Sequence, residues 1–171
     1  WYYAMVELGY NYRMNDIQSA LGLSQLEKLP EWIVRRRVIA RRYDQAIACL
    51  PGFRALQVQT GVDHAYHLYV IEVDCTRLDT DRAGVFAALR AENIGVNVHY
   101  LPVYLHPYYR ENFATCPGMC PVAEAAYERI LSLPMFPAMS DDDVEDVIEA
   151  LEKVTSAYAV ESRTAAVAGS R

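Results

Sequence analysis

The sequence contains few of the residues on which a self-contained catalytic site depends. Lysine occurs only twice, as Lys28 and Lys153. Both fall in helical patterns, whereas a nucleophilic lysine requires a desolvated pocket that lowers its pKa. Ser-His-Asp and Cys-His arrangements, glycine-rich phosphate loops and metal-ligand motifs are also absent from the sequence. We therefore predict that the chain supplies accessory binding groups and holds no metal.

Long apolar runs, paired cysteines and an excess of positive charge are missing as well. No apolar run reaches the roughly 20 residues that a helix needs to cross a bilayer, so no membrane partner is predicted. The four cysteines show no C-x-x-C spacing and follow no secretory leader, so we expect reduced thiols and a cytoplasmic protein. Acidic residues outnumber basic ones by 22 to 16, which argues against a protein that coats nucleic acid.

The chain begins with Trp1 rather than methionine, and the aromatic residues that follow carry no helix-entry signal. We expect that a longer polypeptide precedes it. A natural start codon just before Trp1 would contradict this expectation.

Two helical patterns occupy the first fifty residues. Asn15 is a good N-cap with Gln18 at the capping-box position, so a helix is predicted to begin there. A second apolar face runs from 31 to about 50, and Pro30 between the patterns predicts a bend, as the end of one helix or the first turn of the next. The second pattern also carries five arginines between 35 and 42. They fit either a solvated helix face or a phosphate contact.

A strand-helix-strand pattern follows the helices. Residues 67–73 are rich in β-branched and aromatic side chains and predict a mostly buried strand. Asp79 or Thr80 is the predicted cap of the next helix, and strict alternation returns at 96–100. Residues 53–65 and 102–121 lack periodicity and predict irregular segments.

The end of the chain predicts two further helices. A short one is expected at about 122–129. The second begins at Ser140 as N-cap, with three aspartates in the first turn where they oppose the helix dipole. From 157 onward the composition turns to Ala, Ser, Thr and Gly without a pattern, which predicts a disordered tail.

One candidate binding segment stands out from the residues alone. Alternation in the second strand places Asn97 and His99 on the same side with little apolar company. His99 also begins the run His-Tyr-Leu-Pro-Val-Tyr-Leu-His, whose imidazole and phenol rings suit a concavity for a polar, ring-stacking ligand. A hydrogen-bonded structural histidine explains the same pattern equally well.

Four ordered blocks of the sequence resemble a known family. Residues 9–26 resemble the G-Y-N-[YF]-[RK]-x-x-[DE]-I-x-[SA]-A block of the DegT/StrS family of sugar aminotransferases, and matches follow at 66–69, 95–100 and 132–137. Together the blocks span residue 9 to about 154, and their order is far more specific than any one of them. Through 98–104 the likeness is to the branch that aminates UDP-4-keto-6-deoxy-hexosamines on the way to pseudaminic acid.

The resemblance implies an α/β fold class with an α+β small lobe, the C-terminal domain of a PLP-dependent type I aminotransferase fold. This is a long bent helix followed by a small sheet covered by helices. Residues 1–50 would be connecting helices from the large PLP domain, 51–156 the small α/β domain, and 157–171 a disordered tail. Relatives are homodimers with shared active sites, and their first half holds the Schiff-base lysine. The chain alone is therefore expected to have no catalytic residue and no activity.

The resemblance also implies roles for four residues. Asn11 matches the asparagine that reaches across the dimer to the phosphate of pyridoxal 5'-phosphate, although a turn asparagine would also fit the pattern. Arg13 is assigned to the same cofactor or to substrate phosphate because its planar fork binds such oxygens well, with a surface ion pair as the alternative. His99 and Tyr100 are assigned to substrate binding.

The implied activity transfers an amino group from an amino acid, with glutamate expected, to a UDP-4-keto-6-deoxy-hexosamine, with the cofactor as electron sink. The alternative is a free-standing, non-catalytic small-molecule-binding or dimerisation module. A third hypothesis, nucleic-acid binding through residues 35–42, predicts salt-dependent retention on DNA.

Overall fold

The computed structural model describes residues 9–10 and 12–160. A long helix, α1 (Asp16–Ile47), is followed by the strands β1 (Phe53–Ala55) and β2 (Tyr69–Val73) and the helix α2 (Arg82–Ala91). After a 3₁₀ turn (Val103–Leu105) come the short helices α3 (Pro107–Phe113) and α4 (Pro121–Tyr127), the strand β3 (Ile130–Leu133) and the helix α5 (Asp141–Tyr158).

The sheet has three antiparallel strands in the order β1-β2-β3. Phe53 pairs with Val73 on one side, and Tyr69 pairs with Leu133 on the other. Alternate residues of β2 are buried, which is the pattern of a strand with one face on a core. The helices α1 and α5 contact each other, α1 also contacts β1, and α2 contacts β3 and α5. One core therefore lies between the sheet and three helices.

The C-terminal half of α1 is the part that enters this core. Ile39, Tyr43 and Ile47 recur every four residues and are at most 3% exposed, as one face of a helix requires. The Tyr43 hydroxyl donates a hydrogen bond to the carbonyl of Pro134 at 3.0 Å, so the polar end of this buried ring is satisfied. Burial raises the pKa of Tyr43 above its ordinary value.

The predicted helix starts are confirmed at both ends of the chain. Asn15 and Gln18 form the expected capping box of α1. Ser140 accepts a hydrogen bond from the Asp143 amide while Asp143 bonds back to the Ser140 amide, which completes a capping box for α5. Local side-chain chemistry is sufficient for these starts, because the partners are three residues apart.

The prediction that Pro30 separates two helices is wrong, because α1 is continuous through it. Three boundaries also differ. The cap of α2 is Asp81 rather than Asp79 or Thr80, and β1 and α3 lie within stretches predicted to be irregular. β1 is stabilised by its pairing with β2, and α3 begins at Pro107. Neither feature produces a hydrophobic periodicity in the sequence.

The second predicted strand, at 96–100, is not formed as a strand. Only Asn97 pairs, in an isolated antiparallel bridge with Ser132 of β3. β3 itself was not predicted from periodicity, because Ile130–Leu133 is short and nearly all buried. The last helix continues through Tyr158, two residues into the predicted tail, and residues 161–171 lie outside the described residues.

The arginines between 35 and 42 mostly bind other parts of the fold. Arg35 donates to the carbonyl of Met139 and pairs with Asp141 at 2.8 Å. Arg36 donates to three carbonyls, those of Tyr66, His67 and Met135. These half-buried contacts join α1 to the loop before β2 and to the start of α5. The arginine-rich face of α1 is therefore only partly solvated and also connects elements of the fold.

Candidate functional site

The candidate site is built around His99, which lies in the segment between α2 and the 3₁₀ turn. Next to it, Asn97 and Ser132 exchange two backbone hydrogen bonds, from the Asn97 amide at 3.2 Å and from the Ser132 amide at 2.8 Å. This bridge ties the segment to β3, which is held in turn by the register with β2. The position of His99 is therefore determined by the sheet.

Both ring nitrogens of His99 have a polar neighbour. Its Nδ1 lies 2.8 Å from the Ser132 Oγ, and its Nε2 lies 3.4 Å from the Asn97 Nδ2. The prediction that Asn97 and His99 share a side is thus confirmed. Ser132 was not among the predicted site residues, although it begins the family-like block at 132–137 and places a single hydroxyl in the apolar run of β3.

Tyr100 lies beside His99 and points toward solvent. The two rings meet edge to face, with centroids 4.6 Å apart. His99 is half-buried, whereas Tyr100 is 73% exposed. An ordered imidazole next to an exposed phenol is suited to contact a polar ligand that approaches from outside this domain.

A hydrogen-bonded turn holds the loop that follows these two residues. The Tyr104 hydroxyl and the Gly118 amide donate to the same Glu124 oxygen, at 2.5 and 2.7 Å. The Thr115 hydroxyl donates to the Tyr104 carbonyl at 2.6 Å. These bonds close the tyrosine-rich loop on α4, so the loop has a defined shape on the His99 side of the domain.

Arg13 lies three residues before α1 begins at Asp16. Apart from the half-buried Ser19, every residue from 16 to 31 is exposed. At about 1.5 Å per residue, this part of α1 projects roughly 22 Å from the first half-buried turn. We call residues 12–31 the arm. Arg13 is exposed on the arm, and Asn11, the other predicted cofactor contact, lies outside the described residues.

Both lysines of the chain are exposed. Lys153 pairs with Glu92 at 2.9 Å, and the hydrogen bond and charge of that carboxylate raise the lysine pKa. A Schiff-base lysine needs the opposite shift. Lys28 is exposed on the arm.

A groove of about 990 Å³ lies along the loop between β1 and β2. Its lining mixes apolar side chains such as Leu56 with polar ones that include Asp44, His64, Tyr66 and Tyr69. The Tyr69 hydroxyl donates to Asp44 at 2.6 Å, and burial together with this carboxylate raises the pKa of Tyr69. The tyrosine is thus held in the neutral form.

The described residues offer neither a metal-binding cluster nor a membrane-spanning helix. Across 9–10 and 12–160, no group of three or more His, Cys, Asp or Glu side chains is arranged to hold a metal ion. Within the same part of the chain, no helix has the length and apolar character required to cross a membrane.

Comparison with known proteins gives a consistent set of matches. The model of the DegT/DnrJ/EryC1/StrS aminotransferase family matches residues 1–152. The spore coat polysaccharide biosynthesis protein SpsC of Bacillus subtilis (strain 168) is 44% identical over 155 residues, which are 90% of this chain and 40% of that protein. The chain thus spans about 40% of the length of the curated relatives it matches.

Solved structures show the same relationship. The aminotransferase TlmJ from Streptoalloteichus hindustanus has a TM-score of 0.76 and 31% identity, over 92% of this chain and 41% of that one. Helicobacter pylori PseC, an aminotransferase involved in the biosynthesis of pseudoaminic acid, has a TM-score of 0.77 and 30% identity, over 90% and 41%. The predicted fold class, the C-terminal part of an aminotransferase fold with a small sheet and covering helices, is confirmed.

Proposed function

The chain belongs to the DegT/DnrJ/EryC1/StrS aminotransferase family, and on that premise we propose that it is the C-terminal part of a PLP-dependent sugar-nucleotide transaminase. The observation that carries the proposal is the His99 site, a fixed imidazole beside the exposed ring of Tyr100. A transaminase needs such groups to bind and orient its substrate. The catalytic lysine would lie in the part of the protein outside this chain.

We propose a UDP-4-keto-6-deoxy-hexosamine as the substrate and glutamate as the amino donor. The support for this finer assignment is the likeness of residues 98–104 to the pseudaminic acid branch, together with PseC among the similar structures. In this proposal His99 and Tyr100 bind the sugar nucleotide. The protein would work in the cytoplasm, where nucleotide sugars are made.

The residues of this chain fit the phosphate end of pyridoxal 5'-phosphate and not the end that bonds to a lysine. Arg13 and Asn11 are of the types that bind phosphate oxygens, and a structural relative, Spr1654 from Streptococcus pneumoniae, is known in a PLP form. The raised pKa of Lys153 and the exposure of Lys28 support the proposal that the lysine for covalent attachment lies outside this chain. When bound, the cofactor supplies the electron sink for the reaction.

We propose that the active protein is a homodimer with shared active sites. The support is the resemblance to the family together with the exposed first half of α1, which Arg13 precedes. A second subunit would bring the Asn11 and Arg13 segment of one protomer to the cofactor of the other. The His99 segment would act on substrate within its own protomer.

The decisive experiment uses this segment joined to its upstream sequence. We expect the purified protein to show the absorbance band of lysine-bound pyridoxal phosphate, to lose it when glutamate is added, and to recover it with the UDP-keto sugar. The matched control is the 171-residue chain alone, which should remain colourless. A full-length protein without the band would instead favour the non-catalytic binding or dimerisation module.

The role of Asn11 gives a prediction for the cofactor end of the site. Asn11→Ala in the full-length protein should weaken the binding of pyridoxal phosphate about tenfold, because one phosphate hydrogen bond of about 1.4 kcal/mol is lost. The unfolding temperature of the apoprotein should stay the same. Equilibrium dialysis and thermal unfolding measure the two quantities. Equal cofactor occupancy in variant and parent would refute the assignment.

A further inference from the structure

The hydrogen bonds around His99 determine more than its position. We infer that Ser132 and Asn97 hold His99 as the neutral tautomer with its proton on Nδ1, so that Nε2 accepts a hydrogen bond from a hydroxyl or N–H group of the sugar. The inference rests on the proposed function, in which His99 lies at the sugar-nucleotide site. It makes Ser132 and Asn97 positioning residues and assigns the sugar, rather than the diphosphate, to His99.

The argument starts from the amide of Asn97. Its Oδ1 accepts a hydrogen bond from the Val98 backbone N–H at 2.8 Å. Because the backbone N–H is always a donor, this contact identifies the oxygen of the amide, and the other atom, Nδ2, must be the one that faces His99. An amide nitrogen only donates. The nitrogen opposite it, His99 Nε2, is therefore the unprotonated one.

The second contact completes the assignment. A neutral imidazole carries one proton, so with Nε2 unprotonated the proton lies on Nδ1. Nδ1 then donates to the Ser132 Oγ at 2.8 Å. Ser132 is only 4% exposed, and its backbone is held by the bridge to Asn97. The buried hydroxyl thus has a partner, as buried polar groups require.

The two bonds differ in strength, and the difference points to a ligand. The bond at Nδ1 is short, whereas the contact at Nε2 is 3.4 Å, longer than the usual 2.7–3.2 Å range. A better donor can take this lone pair from Asn97. Sugar hydroxyls and an acetamido N–H are such donors, but ionised phosphate oxygens only accept and would face the lone pair unfavourably.

The tautomer is tested directly by nitrogen NMR of the full-length protein labelled with ¹⁵N-histidine, with His99 assigned by the loss of its signals in His99→Ala. We expect Nδ1 of His99 to resonate in the protonated range and Nε2 in the unprotonated range. Ser132→Ala should shift the ring toward the other tautomer, and Ser132→Thr, which keeps the hydroxyl, should preserve the parent signals. A protonated Nε2 in the parent protein would overturn the inference, whatever the enzyme activity.

The ligand half is tested by calorimetric binding of UDP and of UDP-N-acetylglucosamine to full-length protein. His99→Ala should weaken the binding of the sugar nucleotide about tenfold, which corresponds to one good hydrogen bond. The affinity for UDP should not change. An equal loss for both ligands would overturn the inference by showing that His99 contacts the UDP part that the two ligands share. No loss for either would refute the placement of His99 in the substrate site, while the NMR result would still stand by itself.

Steady-state kinetics separates positioning from general stability. Ser132→Ala should raise the KM for the nucleotide sugar severalfold and leave the KM for the amino donor unchanged. Ser132→Thr should restore the parent value. A uniform fall in kcat with both KM values unchanged would indicate a merely structural role and overturn the positioning assignment.

Discussion

Tyr104 and Glu124 show how single residues shape the loop beside His99. Desolvation of the half-buried phenol and its hydrogen bond to Glu124 raise the pKa of Tyr104 to about 12. The same hydrogen bond and that from the Gly118 amide lower the pKa of Glu124. The pair therefore stabilises the loop most when the phenol is neutral and the carboxyl is ionised.

The pair predicts a stability contribution that disappears at both ends of the pH scale. The folded pKa of Glu124 lies below the ordinary 4.5, so its contribution is present above pH 4.5 and is lost as the pH falls through the folded value. The folded pKa of Tyr104 lies above the ordinary 10.0, so its contribution is present below pH 10 and is lost as the pH rises toward 12.

The measurement compares the parent protein with Tyr104→Phe by thermal unfolding at pH 3, 7 and 11. We expect the largest difference in midpoint near pH 7 and smaller differences at both extremes. Tyr109→Phe, a half-exposed tyrosine of the same loop region, is the matched control and should show little difference. A Tyr104 effect that does not change with pH would contradict the charge-assisted bond.

At the scale of elements, the two halves of α1 lie in different environments. Its second half is buried through Ile39, Tyr43 and Ile47, while its first half is the exposed arm. Ile17, Leu21 and Leu26 on the arm are 61% to 81% exposed, although an isolated apolar helix has little stability in water. The arm thus has the surface of a segment that other parts of the protein cover.

Pro30 gives a prediction for this element. It lacks the N–H that would bond to the carbonyl of Leu26, and proline inside a helix costs about 3 kcal/mol. Pro30→Ala should raise the free energy of unfolding by up to about 3 kcal/mol, measured by urea unfolding of the full-length protein. Ser24→Ala on the same arm is the control for simple helix propensity and should gain less than about 1 kcal/mol. A net loss of stability in Pro30→Ala would show that proline is required for the shape of α1.

At the scale of the whole molecule, the chain resembles a lobe that works together with a larger part. It spans about 40% of its curated relatives, and its two candidate binding regions, the arm and the His99 segment, belong to different segments of the chain. The lobe is therefore expected to bind and orient ligands whose chemistry is carried out elsewhere in the protein.

Limited proteolysis tests this arrangement. In the 171-residue chain, trypsin should cleave after Lys28 within the exposed arm, because local opening of an unpacked helix is easy. In the full-length dimer the same bond should be protected at least tenfold. Arg77, an exposed residue between β2 and α2, provides a reference site. Equal cleavage at Lys28 in the two proteins would show that nothing covers the arm.

The helix starts at Asn15 and Ser140, the strand β2 and the shared side of Asn97 and His99 were predicted from the sequence. Each depends on interactions between residues at most a few positions apart, and the four ordered blocks carried the family by their order alone. The short strand β3 and the contact of Ser132 with His99 depend on partners that are distant in the chain. The hydroxyl of Ser132 meets His99 across 33 positions, and only the sheet register brings them within hydrogen-bonding distance.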